Sequence, residues 1–125
     1  MEWYRTTRRD LPWRRSRKPY AIWVSEIMCQ QTQIETVLPF YGRWMERLPT
    51  VEKLAAASEE EVLGLWQGLG YYRRARMLQA GARQVVERGW PRNAKQWREI
   101  SGVGDYTAGA IASIALGEPA ALGDG

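Results

Sequence analysis

The chain is predicted to be all-α with short connections, and three observations lead there. Apolar residues recur at spacings of three and four, capping residues stand at the heads of those runs, and no stretch alternates convincingly as a half-buried strand would. Its 125 residues are enough for one hydrophobic core and too few for two. No internal repeat or low-complexity segment interrupts the pattern.

Taken in order, Ala21 to Cys29 is an apolar helix. Ile34 to Arg47 follows as an amphipathic one, with Val37, Leu38, Tyr41, Trp44 and Met45 on its apolar side and Leu48 just beyond. Thr50 caps a short helix through Leu54. Ser58-Glu59-Glu60-Glu61 is a capping box with acids in the first turn, where the helix dipole favours them. Gly68-Leu69-Gly70 breaks the periodicity, which resumes from Tyr71 to Arg88 as a long basic helix. Asn93 caps a further short helix ending near Ile100, and Thr107 to Leu116 is small and apolar, suited to close packing. Trp3, Trp44, Trp66, Trp90 and Trp97 are assigned to packing, and Tyr72 to the core.

Composition excludes several functions. The 18 Lys+Arg exceed the 14 Asp+Glu for a formal charge of +4, and all cations but Lys18, Lys53 and Lys95 are arginine. Arginine suits forked recognition of phosphate. Arg5, Arg8, Arg9, Arg14, Arg15, Arg17 and Lys18 crowd the first eighteen residues against only Glu2 and Asp10. With Cys29 alone and no histidine, the chain forms no internal disulfide and assembles neither a zinc nor an iron–sulfur site by itself. No apolar run reaches the length of a membrane span and no secretory signal is visible, so a soluble intracellular protein is expected. Leu122-Gly123-Asp124-Gly125 ends in mid-motif, and the chain is read as part of a longer protein.

The most informative stretch is Ile100-Ser101-Gly102-Val103-Gly104-Asp105-Tyr106-Thr107-Ala108-Gly109. Two glycines flank one apolar residue between two helical patterns, which is the form of a helix–hairpin–helix. Both glycines are expected to let the chain reverse at positive φ. The second helix then opens with unpaired N–H groups, which bind phosphate. Gly102, Val103 and Gly104 are therefore candidate contacts to a DNA backbone, and Asp124 lies about twenty residues beyond, where a carboxylate can reach a sugar. Glu26 is a lone carboxylate among apolar neighbours, and burial there raises a carboxyl pKa toward that of a general acid. On the pattern alone, a carboxylate on the wet face of the helix is the plainer alternative.

Together these motifs resemble the MutY-type adenine DNA glycosylases, within the helix–hairpin–helix superfamily that includes endonuclease III. The resemblance runs from about Arg9 to Gly125. It rests on Leu11-Pro12-Trp13-Arg14, Trp23-Val24-Ser25-Glu26-Ile27-Met28, Gln30-Gln31-Thr32-Gln33, Gly68-Leu69-Gly70-Tyr71-Tyr72, the hairpin, and Gly123-Asp124-Gly125. It implies a helix–hairpin–helix glycosylase fold truncated before the iron–sulfur subdomain. Residues 1–125 would be a partial catalytic domain, with the hairpin near 100–106 and the iron–sulfur and lesion-sensing parts absent.

The resemblance also implies roles. Glu26 protonates the departing adenine and helps activate water, while Asp124 stabilises the oxocarbenium ion. Tyr106 stands where strand-cutting relatives carry the lysine that forms a Schiff base, so the activity implied is monofunctional. Gln30 and Tyr71 match residues that probe the opened duplex, and Arg9, Leu11, Trp13 and Arg14 match the lining of the pocket for the flipped base. Arg73, Arg74 and Arg76 are read either as phosphate contacts or as a solvated helix face. The implied partner is double-stranded DNA with adenine opposite 8-oxoguanine or guanine. The implied state is a monomer away from membranes, cytoplasmic and nucleoid-associated. No cofactor or metal is expected in this chain, and a [4Fe–4S] cluster belongs to the full-length family. Ser101 departs from the family's proline, which is expected to loosen the turn, and Asp105 departs from a common basic residue. The rivals are a thymine or uracil mismatch glycosylase and a non-catalytic helix–hairpin–helix DNA-binding module.

Overall fold

The computed structural model describes residues 18–30 and 32–116, which form helices joined by short turns and contain no strand. Pro19 opens the first helix, α1 (Pro19–Met28), where its missing N–H costs nothing. Nearly every side chain of α1 is buried, so it runs through the middle of the structure and is not amphipathic on its surface. The second helix, α2 (Ile34–Arg47), buries Val37, Tyr41 and Trp44 fully and packs Ile34, Leu38, Phe40 and Met45 partly against the core, leaving its other side to solvent. Thr50 and Ser58 cap α3 (Val51–Ala56) and α4 (Glu59–Trp66), their hydroxyls accepting from Lys53 N at 3.2 Å and Glu61 N at 3.1 Å. The long helix α5 (Tyr72–Arg88) lies against α3, α4 and α1. Asn93 Oδ1 accepts from Gln96 N and starts α6 (Ala94–Trp97), and α7 (Asp105–Leu116) returns across α1 and α6.

Indole rings knit these helices together. Trp23 and Trp97 meet edge to face with centroids 5.3 Å apart, as do Trp44 and Trp66 at 5.7 Å. All four are fully buried. Such pairs add roughly 0.5–1.5 kcal/mol each beyond the area they bury. Tyr20 supplies a polar anchor inside this packing: its hydroxyl donates to Leu48 O at 2.6 Å and accepts from Trp44 Nε1 at 3.0 Å. Burial pushes that phenol well above its ordinary range, so it stays a neutral donor. The approach of α5 to α1 requires Gly81, because a Cβ there would sit 2.6 Å from the Trp23 ring and 2.8 Å from Ile100 Cγ2. Two residues before Gly81, about half a turn round α5, the buried Gln79 amide donates to Leu54 O and Ala57 O and closes the end of α3.

Element boundaries shift in instructive ways. The first helix starts at Pro19 and stops at Met28, with Cys29 as its cap. Tyr71 is not the first residue of α5 but its cap, held in the left-handed region at φ 53° and ψ 57°. The helix before the hairpin ends at Trp97, leaving 98–100 as a turn, while α7 already includes Asp105 and Tyr106. Two packing assignments need correction. Tyr72 is 41% exposed and Trp90 38% exposed, though Trp90 still leans on Trp97 and Trp23 at 5.8 and 6.5 Å. Tyr72 sits at the start of α5, where its ring is left partly open to solvent.

Candidate nucleic-acid interface

Two pieces of the site can be built upward from α5. The first is the hairpin. Of its two glycines only Gly102 has a positive φ, 79°, and it lies so near α5 that a Cβ would stand 2.8 Å from Met77 Cβ. Gly104 needs no left-handed backbone and has nothing within 4 Å of its Cβ direction, so it presents bare, exposed main chain. The expectation that both glycines supply the reversal is corrected: one makes the turn, the other leaves its backbone uncovered. Val103 is buried, so its side chain plugs the core and only its main chain can face outward.

Ser101 does not loosen the turn. Its N–H donates to Gln84 Oε1 at 2.7 Å, so a side chain from the middle of α5 holds the backbone donor that a proline would lack. Asp105, at the first position of α7, pairs with Arg98 at 3.3 Å, with both groups well exposed. The acid therefore has a cation beside it, although exposed pairs of this kind contribute little to stability.

The second piece is the junction where α1 ends and α5 begins. Glu26 lies half-buried in the last turn of α1, four residues before Gln30. Gln30 is half-buried as well, and its Nε2 donates to Thr107 Oγ1 at 3.2 Å, tying the end of α1 to the first turns of α7. Tyr71 is 63% exposed and Tyr106 is 76% exposed, so neither ring serves the core. A cleft of about 380 Å³ separates the two pieces, lined by Ile27, Gln30, Tyr71, Arg73, Met77 and Gly102 among others. Arg9, Leu11, Trp13 and Arg14, expected at the base pocket, Asp124, expected beneath the sugar, and Trp3, expected in packing, lie outside the described residues.

Arg74 is the residue that pattern reading misplaced. It is neither a solvated cation nor directed outward. Its Nη1 donates to the carbonyls of Ile27 at 2.8 Å, Met28 at 3.4 Å and Gln30, and its Nη2 reaches Thr32 Oγ1 at 3.4 Å. The guanidinium lies 5.4 Å from the Trp66 ring centroid and 5.3 Å from that of Tyr71. A fork of donors under the last carbonyls of a helix satisfies groups the helix leaves open and offsets its dipole. Burial pulls this guanidinium down from its ordinary range, which the fields of Tyr71 and Cys29 partly offset. Nothing in the one-dimensional pattern distinguishes it from Arg73, which is exposed, or Arg76, which pairs with Glu59 at 3.6 Å.

Residues 24–124 match the family described as HhH-GPD superfamily base excision DNA repair protein. The chain belongs to that superfamily. Over its whole length it is 52% identical to the adenine DNA glycosylase of Homo sapiens. It spans about a quarter of the length of the curated relatives it matches. Among solved structures, a thermostable thymine-DNA glycosylase superposes with a TM-score of 0.82 at 30% identity, over 94% of this chain and 56% of that one. A trapped endonuclease III–DNA covalent intermediate, an estranged-adenine complex, superposes at 0.76 with 25% identity, over 82% of this chain and 50% of that one. These likenesses bear out the all-helical helix–hairpin–helix glycosylase fold. Among the described residues, no helix is long and apolar enough to cross a membrane and no group of side chains is set to hold a metal.

Proposed function

We propose that the protein to which this chain belongs is a monofunctional DNA glycosylase that releases adenine paired with 8-oxoguanine or guanine. Residues 1–125 would carry its catalytic portion. The observation that carries this reading is the similarity of this whole chain to about a quarter of the length of the adenine DNA glycosylases it matches, with a family match whose span includes both Glu26 and Asp124. The hairpin supports it, because the bare main chain at Gly104 and the start of α7 suit the backbone of DNA.

In the reaction, Glu26 donates a proton to a ring nitrogen of the extruded adenine. The glycosidic bond breaks, its electron pair leaves with the base, and positive charge develops on the sugar. The Asp124 carboxylate stabilises that cation until water adds at the anomeric carbon and returns a proton to Glu26. Tyr106 has no amine, so a Schiff base to the sugar is not open to it; its exposed hydroxyl would orient the sugar or Asp124. Gln30 and Tyr71 would fill the gap left by the extruded base. A [4Fe–4S] cluster does not fit the residues present, since Cys29 is the single thiol and there is no histidine. In the whole protein its ligands would come from outside this chain.

Single-turnover release of adenine from a duplex with adenine opposite 8-oxoguanine tests the reading. It is expected in the whole protein and lost in Glu26→Gln and Asp124→Asn. Release of thymine opposite guanine, with adenine untouched, would establish the mismatch glycosylase instead. Binding without release of either base, unchanged by Glu26→Gln, would mark a non-catalytic module.

A further inference from the structure

The Arg74 guanidinium joins the two residues proposed to enter the DNA stack, one three residues before it and the other 44 residues away in sequence. From α5 it holds the Gln30 carbonyl and, through Ile27 and Met28, the end of the helix that carries Gln30. On its other side it lies against Tyr71, and its Nη2 is 3.5 Å from Gly70 O. Gly70 O also accepts from Trp66 Nε1 at 2.9 Å, and Trp66 is the fully buried ring against which the guanidinium rests. Tyr71 is the one described non-glycine residue at positive φ. A bulky residue there is strained and persists only when its surroundings over-determine it. The ring nevertheless stays 63% exposed, so the strain does not serve the core.

We propose that Arg74 is a positioning residue that sets Gln30 and Tyr71 as one rigid unit against the DNA stack. It does not touch phosphate. This rests on the reading of Gln30 and Tyr71 as the residues that fill an opened duplex. The physical requirement is plain: inserting side chains into a stack costs a few kcal/mol of unstacking, and a loosely held pair would spend part of its binding on being ordered. A cation bound to main-chain carbonyls fixes the backbone that bears both side chains while leaving their tips free.

The test uses the whole protein and a duplex with 2-aminopurine opposite 8-oxoguanine, whose fluorescence rises when the probe unstacks. Arg74→Met is expected to lower the protein-induced fluorescence about tenfold, as loss of a charged hydrogen-bond set would, while affinity for unmodified duplex changes less than about twofold. Tyr71→Ala should lose the signal to a similar extent, and the double variant should be no worse than either single one, because the two act together. If Arg74→Met no longer melts cooperatively, Arg74→Lys takes its place, since lysine keeps the charge and stem but not the fork. Full unstacking by a folded Arg74 variant, beside a dark Tyr71→Ala, would overturn the proposal. Uniform loss of duplex affinity without selective loss of unstacking would make Arg74 a phosphate or fold residue and overturn it equally. Full signal in both Tyr71→Ala and Gln30→Ala would instead bring down the underlying reading, and the proposal with it.

Discussion

The hairpin and the α1–α5 junction both rest on the same long helix, yet they are held in different ways. The hairpin is seated by fit: Gly102 against Met77, Val103 in the core, and one side-chain amide, Gln84, on the Ser101 N–H. The junction is held by a cation beneath three carbonyls that lie 44 to 47 residues away in sequence. A turn limited by its own backbone carries its requirement in adjacent residues, whereas a junction made by distant partners carries it nowhere in particular. The bond from Gln30 to Thr107 is what connects the two pieces.

Gly102→Ala should break the comparison most severely, since it combines a left-handed backbone with a Cβ 2.8 Å from Met77 Cβ. A loss of about 2 kcal/mol or more in urea unfolding is expected, with duplex affinity falling alongside. Gln84→Leu comes next, at about 1–2 kcal/mol, because it leaves the half-buried Ser101 N–H without an acceptor. Ser101→Pro in the same chain should recover most of that loss, because proline has no N–H to satisfy. A double variant as unstable as Gln84→Leu alone would show that the amide matters for some other contact.

Thr107→Val should cost about 1 kcal/mol by leaving the Gln30 amide without its acceptor. Its sharper effect is on coupling: with that tie cut, substitutions in the hairpin and at Tyr71 should become additive in duplex binding. Persisting non-additivity would place the coupling in α5 alone. Asp105→Asn is the mildest. Breaking its exposed pair with Arg98 should shift stability by less than about 0.5 kcal/mol. Duplex affinity should nevertheless rise at low salt, because a negative charge at the mouth of α7 is removed.

Much of the site was legible because its requirements are local. The Thr50, Ser58 and Asn93 caps each bond a backbone N–H three residues on, which is a matter of spacing alone. The hairpin was legible for the same reason, although only one of its glycines uses the freedom both possess. Exposure was harder to read. Tyr72 follows Tyr71 in the same aromatic pair, and both turn out exposed, at the lip of α5 where Tyr71 is the left-handed cap.

By itself the sequence determined the helical class, the order of the helices, the caps at Thr50, Ser58 and Asn93, the reversal between α6 and α7, and the family. All of these follow from spacing, backbone preference and motif order along the chain. Only the tertiary structure decided that Gly104 is bare rather than bent, that Gln84 stands in for a missing proline, and that one arginine among three is drawn inward. Arg73, Arg74 and Arg76 are chemically identical. What separates them is which one the packing of α5 brings beneath the open carbonyls of α1, a condition that exists only once the helices have met.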